Sequence, residues 1–83
     1  MATFGDDLDQ LSSDDLGELA RDAMSILARR GDAEAFSQLV TMSAHAGQCL
    51  GEGARRLASA ASWTQVADLT GVSKQAAWSR WRG

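Results

Sequence analysis

The sequence contains no proline and no tyrosine, and it has a single cysteine and a single lysine. Without proline, nothing in the chain forces a helix to break, and residues that favour β-strands are few while alanine is abundant. One cysteine cannot form an intrachain disulfide, which fits a reducing compartment. We therefore expect an all-α protein in the cytoplasm.

Long apolar runs are also missing. The sequence has no stretch of about 18 apolar residues, as a membrane-spanning helix needs, and its acidic start does not match a signal peptide. Its 83 residues make one domain. A core of this size rarely supplies more than about 3–5 kcal/mol, and oligomerisation is a common remedy.

The residue sets that enzymes use are not found either. There is no Ser–His–Asp set and no glycine-rich phosphate loop, because Gly47, Gly51 and Gly53 lie in a helical context and follow no strand. His45 and Cys49 are four residues apart on one helical face, but two candidate ligands alone do not indicate a metal site. We expect no enzymatic activity, no catalytic residue, no metal and no cofactor.

The most informative stretch is the end of the chain, SWTQVADLTGVSKQAAWSRWR from Ser62 to Arg82. Ser62 followed by Gln65 predicts a capped helix over Trp63–Thr70. Gly71 can adopt the left-handed conformation that closes this helix in a sharp turn. Ser73 then caps a second helix over residues 74–81.

Small and apolar residues in this stretch occur at positions that suit two crossing helices. Ala67 falls at the expected crossing, Gly71 at the turn, and Val72 and Ala77 beneath it. The run VADLTGVSKQAAWSRW resembles the helix-turn-helix of bacterial DNA-binding regulators. It is similar to the motif of the lac-repressor family and more similar to that of small actinobacterial helix-turn-helix proteins.

The resemblance implies that residues 73–82 form a recognition helix, with Lys74, Gln75 and Ser79 as the base readers. Their chemistry is suitable: lysine donates to guanine, the glutamine amide pairs with adenine, and serine reaches a base or a phosphate. We expect Trp63 and Trp81 to pack in the core, whereas Trp78 either contacts DNA or packs there. The full set of candidate DNA-binding residues is Ser73, Lys74, Gln75, Trp78, Ser79, Arg80 and Arg82, with Arg55 and Arg56 as flanking phosphate contacts or solvated side chains.

The net charge of −3 hides an uneven distribution. Residues 1–22 hold seven acidic side chains and one basic one, whereas residues 54–83 hold five basic side chains and one acidic one. Attraction to phosphate depends on the local field, so the C-terminal end remains suitable for DNA. Its charge is modest, which favours binding by two copies together.

Upstream, helical patterns predict a hairpin. Ser12 caps a helix from about Ser13 to Arg30, Gly31 ends it, and Asp32 caps the next helix after a short connection. The second helix carries a row of apolar and small residues at heptad spacing, which we call the seam. The seam is longer than the first helix can cover, so we expect a further partner to cover the rest of it. Glycines could break this helix near residues 50–53, but we favour a continuous, bent helix. The seam consists of Phe36, Val40, Ser43, Gly47, Leu50, Ala54, Leu57 and Ala61.

The sequence thus predicts an antiparallel helical hairpin followed by a C-terminal helix-turn-helix within one domain. Residues 1–11 would be a flexible acidic N-terminus, residues 12–61 the hairpin that pairs two copies, and residues 54–83 the unit that binds double-stranded DNA. The function expected is a sequence-specific, nucleoid-associated transcriptional regulator that acts as a homodimer. Two alternatives stay open: a protein-interaction adaptor with the same fold, and an architectural DNA-binding protein that tolerates many sequences.

Overall fold

The computed structural model describes residues 5–83, and the predicted all-α class is confirmed because this range contains helices and turns but no strand. Residues 1–4, part of the N-terminus predicted to be flexible, lie outside the described range. The helices are α1 (Gly5–Leu8), α2 (Ser13–Arg30), α3 (Ala33–Ala60), α4 (Trp63–Thr70) and α5 (Lys74–Trp81).

Local capping fixes the starts of the helices from α2 to α5 at the residues that the sequence predicts, whereas α1 falls within the stretch predicted to be flexible. The hydroxyl oxygens of Ser12, Ser62 and Ser73 accept hydrogen bonds from backbone N–H groups three residues later, over 3.1–3.2 Å. The carboxylate of Asp32 does the same at the start of α3. Gly31 and Gly71 follow α2 and α4 with φ of 67° and 74°. Glycine occupies this left-handed region without the steric cost of a Cβ atom.

The described chain forms two compact units that meet within α3, one up to Thr41 and one from Met42 to Gly83. The first unit contains α1, α2 and the beginning of α3. Its single buried residue, among those whose burial is described, is Ala35. No side chain of α2 is buried. The first unit therefore has almost no core of its own.

Helix α2 does not supply the packing that an antiparallel hairpin would need. Among the described helices, only α4 and α5 pack extensively against each other. At the start of α3, the seam residues Phe36 and Val40 are exposed at 68% and 56%. The hairpin therefore stays a prediction, and the apolar faces of α2 and of the start of α3 remain largely exposed among the described residues of the first unit.

The second unit has a small, well-defined core. Val66 and Ala67 of α4 and Ala77 and Trp81 of α5 are buried together with Ala54 of α3. Partly buried side chains pack around this cluster; they are Leu57, Ala58, Trp63 and Val72. Trp81 is thus buried and Trp63 packs against the core, as the sequence predicts.

Helix α3 is continuous through its glycines, which the sequence left open. Gly51 is buried beside the guanidinium of Arg55, where an added Cβ would come within 3.2 Å of Nη1. An added Cβ on Gly53 would meet no atom within 4 Å. Glycine at position 51 therefore leaves room for the side chain of Arg55, whereas at position 53 the space for a side chain is empty.

Within the described residues, none of the helices combines the length and the apolar character needed to span a bilayer.

Candidate nucleic-acid interface

Helix α5 has a buried face and an exposed face. Ala77 is fully buried and Trp81, one turn later, is 7% exposed. This pair fixes the rotation of the helix, because side chains four residues apart lie on the same face. The other side of α5 is therefore held outward by the packing of Ala77 and Trp81.

The candidate base readers lie on an exposed surface that begins at the edge of the buried pair, since Lys74 is seven positions before Trp81, and continues around the helix to Ser79. Lys74, Trp78 and Arg82 follow one another at intervals of four residues, and Gln75 and Ser79 form the adjacent row. All five are exposed. The last turn extends through Arg82, whose N–H donates to the carbonyl oxygen of Trp78 over 3.0 Å. The result is one continuous polar and aromatic surface, which we call the α5 face.

Trp78 lies in the middle of the α5 face and is 44% exposed. The guanidinium carbon of Arg82 stands 4.5 Å from the centroid of the Trp78 ring, within cation–π distance. This stacking restricts both side chains to the solvent side of α5. The structure places Trp78 at the surface of α5 and not among the buried residues of the core.

Ser73 has a structural role at the beginning of the α5 face. Its hydroxyl oxygen accepts a hydrogen bond from the N–H of Ala76 over 3.1 Å. The hydroxyl hydrogen can still donate to an acceptor outside the protein. The first N–H groups of the helix also point outward here, and they favour an anionic partner such as phosphate.

Arg55 is held by α5 rather than free. Its Nη1 donates to the carbonyl oxygen of Trp81 over 3.2 Å, across 26 positions of sequence. Arginine commonly satisfies the last carbonyls of a helix in this way. Sequence patterns did not reveal this contact, because the residues are distant in the chain and neither belongs to a recognisable pairing motif. The remaining N–H groups of Arg55 are available to another partner.

Arg80 lies on the flank of α5 and not on the α5 face. Its guanidinium carbon is 5.3 Å from the Trp81 ring centroid. With Arg55 it lines a shallow hollow of about 430 Å³ beside α3. Arg80 also lines a hollow together with Trp78 and Arg82. The guanidinium groups of Arg55 and Arg80 therefore extend the cationic surface from the α5 face toward α3.

Arg56 forms an ion pair with Glu52, one turn earlier on α3, at 3.1 Å. Both side chains are largely exposed. Exposed pairs of this kind contribute little to stability. Its neighbour Glu52 neutralises Arg56 locally, which makes Arg56 the weakest of the predicted phosphate contacts.

The second unit is basic although the whole chain is acidic. Residues 42–83 contain five basic and two acidic side chains, a net charge of +3. Three of the basic groups come from the end of the chain, Lys74, Arg80 and Arg82. The local field at α5 therefore attracts anions despite the overall net charge.

An apolar hollow of about 240 Å³ is also present in the second unit. It lies between α3 and α4, where Leu50, Leu57 and Leu69 contribute to its lining. Leu69 is 73% exposed. A large exposed leucine beside an apolar hollow is a feature of protein-binding surfaces more than of DNA-binding ones.

His45 and Cys49 are close together, with Nε2 and Sγ 3.4 Å apart. Both are exposed on α3. Within the described part of the chain, no group of three or more histidine, cysteine or acidic side chains is arranged to hold a metal ion.

Comparison with protein-family models, curated proteins and solved structures finds no match to this chain. The resemblance to helix-turn-helix regulators rests on the residues of α4, the turn and α5 alone.

Proposed function

We propose that this protein is a sequence-specific DNA-binding regulator that acts as a homodimer, with α4 and α5 as its helix-turn-helix. The observation that carries the proposal is the α5 face. Five exposed side chains capable of DNA contact lie together on one continuous surface of α5, which begins beside its buried residues Ala77 and Trp81. In this arrangement α5 enters the major groove.

Each part of the α5 face suits a different part of a DNA duplex. Lys74 and Gln75 extend from the first turn of α5, the part of a recognition helix that reaches base edges. Lysine reads guanine and glutamine reads adenine. Ser73 and the N-terminal amides of α5 bind the adjacent phosphate, and Arg82 binds a phosphate beyond Trp78.

The proposed homodimer explains how a weakly basic unit binds tightly enough. One copy offers few cationic groups, so its phosphate contacts give only weak binding at physiological salt. Two copies held together through residues 12–61, the segment that the sequence predicts to pair them, would present two α5 helices. The half-sites would then lie about 34–36 Å apart, one turn of DNA. Such a protein would be associated with the nucleoid in the cytoplasm.

The test is a selection of DNA fragments by the purified full chain at physiological ionic strength. We would compare the wild type with the double variant Lys74→Ala/Gln75→Ala. The matched control is Arg21→Ala/Gln38→Ala, which also removes one cation and one amide from exposed positions but outside α5. The wild type and the control should enrich the same two-fold symmetric motif, and the α5 variant should not.

Two results would contradict the proposal. If the α5 variant enriches the same motif as the wild type, α5 is not the reading helix. If the folded wild type retains no DNA, the protein does not bind DNA. Retention of DNA without any preferred sequence would instead support the architectural alternative.

A second candidate function is supported by the apolar hollow beside Leu69. A protein-interaction adaptor would use this hollow, because burial of exposed leucine drives association between proteins. The variant Leu69→Ser separates the two functions. A DNA-binding regulator retains its DNA selection in this variant, whereas an adaptor loses its protein partner and selects no DNA motif in either form.

A further inference from the structure

Helix α2 carries an apolar surface that no described residue of the first unit buries. Its four largest exposed apolar side chains are between 36% and 48% exposed; they are Leu16, Leu19, Met24 and Ile26. With Ala20, Ala23 and Leu27 they form one wide stripe at helical spacing. A helix with such a stripe gains most of its stability from packing against a partner.

The charges at the two ends of α2 are opposite. Its first turn contains Asp14 and Asp15, and its last turn contains Arg29 and Arg30. If a second α2 lay parallel to the first, like charges would face each other at both ends. If it lay antiparallel, the acidic end of each helix would face the basic end of the other.

The apolar side chains fit the antiparallel arrangement as well. When the two helices are centred at Asp22, Leu16 lies within one residue of the level of Leu27 of the second copy, and Leu19 lies within one residue of the level of its Ile26. The small side chain of Ala23 then falls close to the two-fold axis. Small residues at a crossing let two helices approach closely.

We propose that the partner of α2 is the α2 of a second copy of this chain, packed antiparallel across a two-fold axis near Asp22. The contact is isologous, because each copy offers the same stripe and the same pair of charged ends. This inference specifies the interface of the homodimer in the proposed function. It does not depend on whether that dimer binds DNA.

The orientation can be read from cysteine cross-linking in the full chain. The native thiol, Cys49, is exposed and would be removed first by Cys49→Ser. Ala23→Cys or Leu16→Cys is then introduced into this background, and disulfide formation is followed on a non-reducing gel. Circular dichroism confirms that each variant is folded before cross-linking.

An antiparallel pair brings the two thiols together at position 23 but not at position 16. Position 16 would lie on the order of 18 Å from its counterpart along the axis, at about 1.5 Å per residue. A disulfide needs Cα atoms within about 7 Å. Ala23→Cys should therefore cross-link to a dimer and Leu16→Cys should not. A mixture of Leu16→Cys and Leu27→Cys chains should cross-link, which shows that a thiol at position 16 is reactive.

If both Ala23→Cys and Leu16→Cys cross-link, the two helices are parallel. If Ala23→Cys does not cross-link and the mixture does not cross-link either, α2 is not the interface. Either result overturns the inference. No DNA is present in this experiment, so its failure is distinct from a failure of DNA binding.

Discussion

At the scale of single residues, α5 combines buried side chains that pack in the core with exposed side chains that are candidate DNA contacts. Trp81 and Trp78 are three positions apart, yet one is buried and the other is 44% exposed. The buried tryptophan holds the helix in place, and the exposed one lies among the candidate DNA contacts. Substitutions at the two positions should therefore affect different properties.

We expect Trp81→Ala to lower the free energy of unfolding by about 3–5 kcal/mol, as for other large-to-small core substitutions. Trp78→Ala should lower it by less than about 1 kcal/mol, because only a half-exposed ring and its contact with Arg82 are lost. Chemical denaturation measures both. Equal destabilisation by the two substitutions would show that Trp78 belongs to the core, and it would remove Trp78 from the α5 face.

The two neighbouring arginines on α3 give a second comparison. Arg55→Ala removes the hydrogen bond to the carbonyl oxygen of Trp81, so we expect a loss of about 0.5–1.5 kcal/mol in the free energy of unfolding. Arg56→Ala removes an exposed ion pair with Glu52, which should cost under about 1 kcal/mol. If denaturation gives the reverse order, the contact between Arg55 and α5 does not stabilise the fold.

At the scale of elements, glycines of similar appearance have different roles. Gly71 has a φ of 74° in the turn between α4 and α5, whereas Gly53 lies inside α3 with open space around its Cα. Alanine in place of Gly71 should destabilise the protein by about 1–2 kcal/mol. Alanine in place of Gly53 should stabilise it by up to about 1 kcal/mol.

Thermal unfolding of the two variants checks this prediction. Both substitutions add one methyl group where no other atom lies within 4 Å. A difference between them therefore reports backbone conformation alone. If Gly71→Ala melts at the wild-type temperature, the left-handed turn is not required for the packing of α4 on α5.

The elements also show why some features could be predicted from the sequence. Caps and left-handed glycines act within a few residues of chain, so Ser12, Ser62 and Ser73 predict the starts of three helices correctly. The contact between Arg55 and Trp81 joins positions 26 apart, and no local pattern encodes it. Glycine lowers the intrinsic stability of a helix, whereas packing around Gly51 favours a continuous α3. The sequence does not show which of these two effects is larger.

The same division applies to the candidate site. The sequence predicts the residues of the α5 face, because a helical period places Lys74, Trp78 and Arg82 in one row. It does not predict that Arg80, which falls outside this row, lines a hollow together with Arg55. That placement follows from how α5 packs on α3, which is a tertiary contact.

At the scale of the whole molecule, the two units differ in how they bury apolar surface. The second unit has a core of its own, while Ala35 is the single buried residue described in the first. Because pairing with a second copy would supply the missing burial, stability should depend on protein concentration.

We expect the melting temperature of the wild type to rise between about 1 μM and 100 μM protein, since mass action favours the folded dimer. Leu19→Glu places a charge in the apolar stripe of α2 and should abolish this dependence. Circular dichroism at several concentrations measures both. A wild-type melting temperature that stays constant over a hundredfold range would show that the first unit is stable without a partner.

The central claim is that the α5 face reads DNA sequence. It is tested most directly by the ratio of affinities for the selected motif and for a shuffled duplex of equal length, measured by equilibrium titration at one salt concentration. We predict that Lys74→Ala/Gln75→Ala lowers this ratio by about tenfold or more, because each base contact contributes roughly 1–3 kcal/mol of discrimination. Affinity for the shuffled duplex should fall much less. A variant that keeps the wild-type ratio would contradict the account.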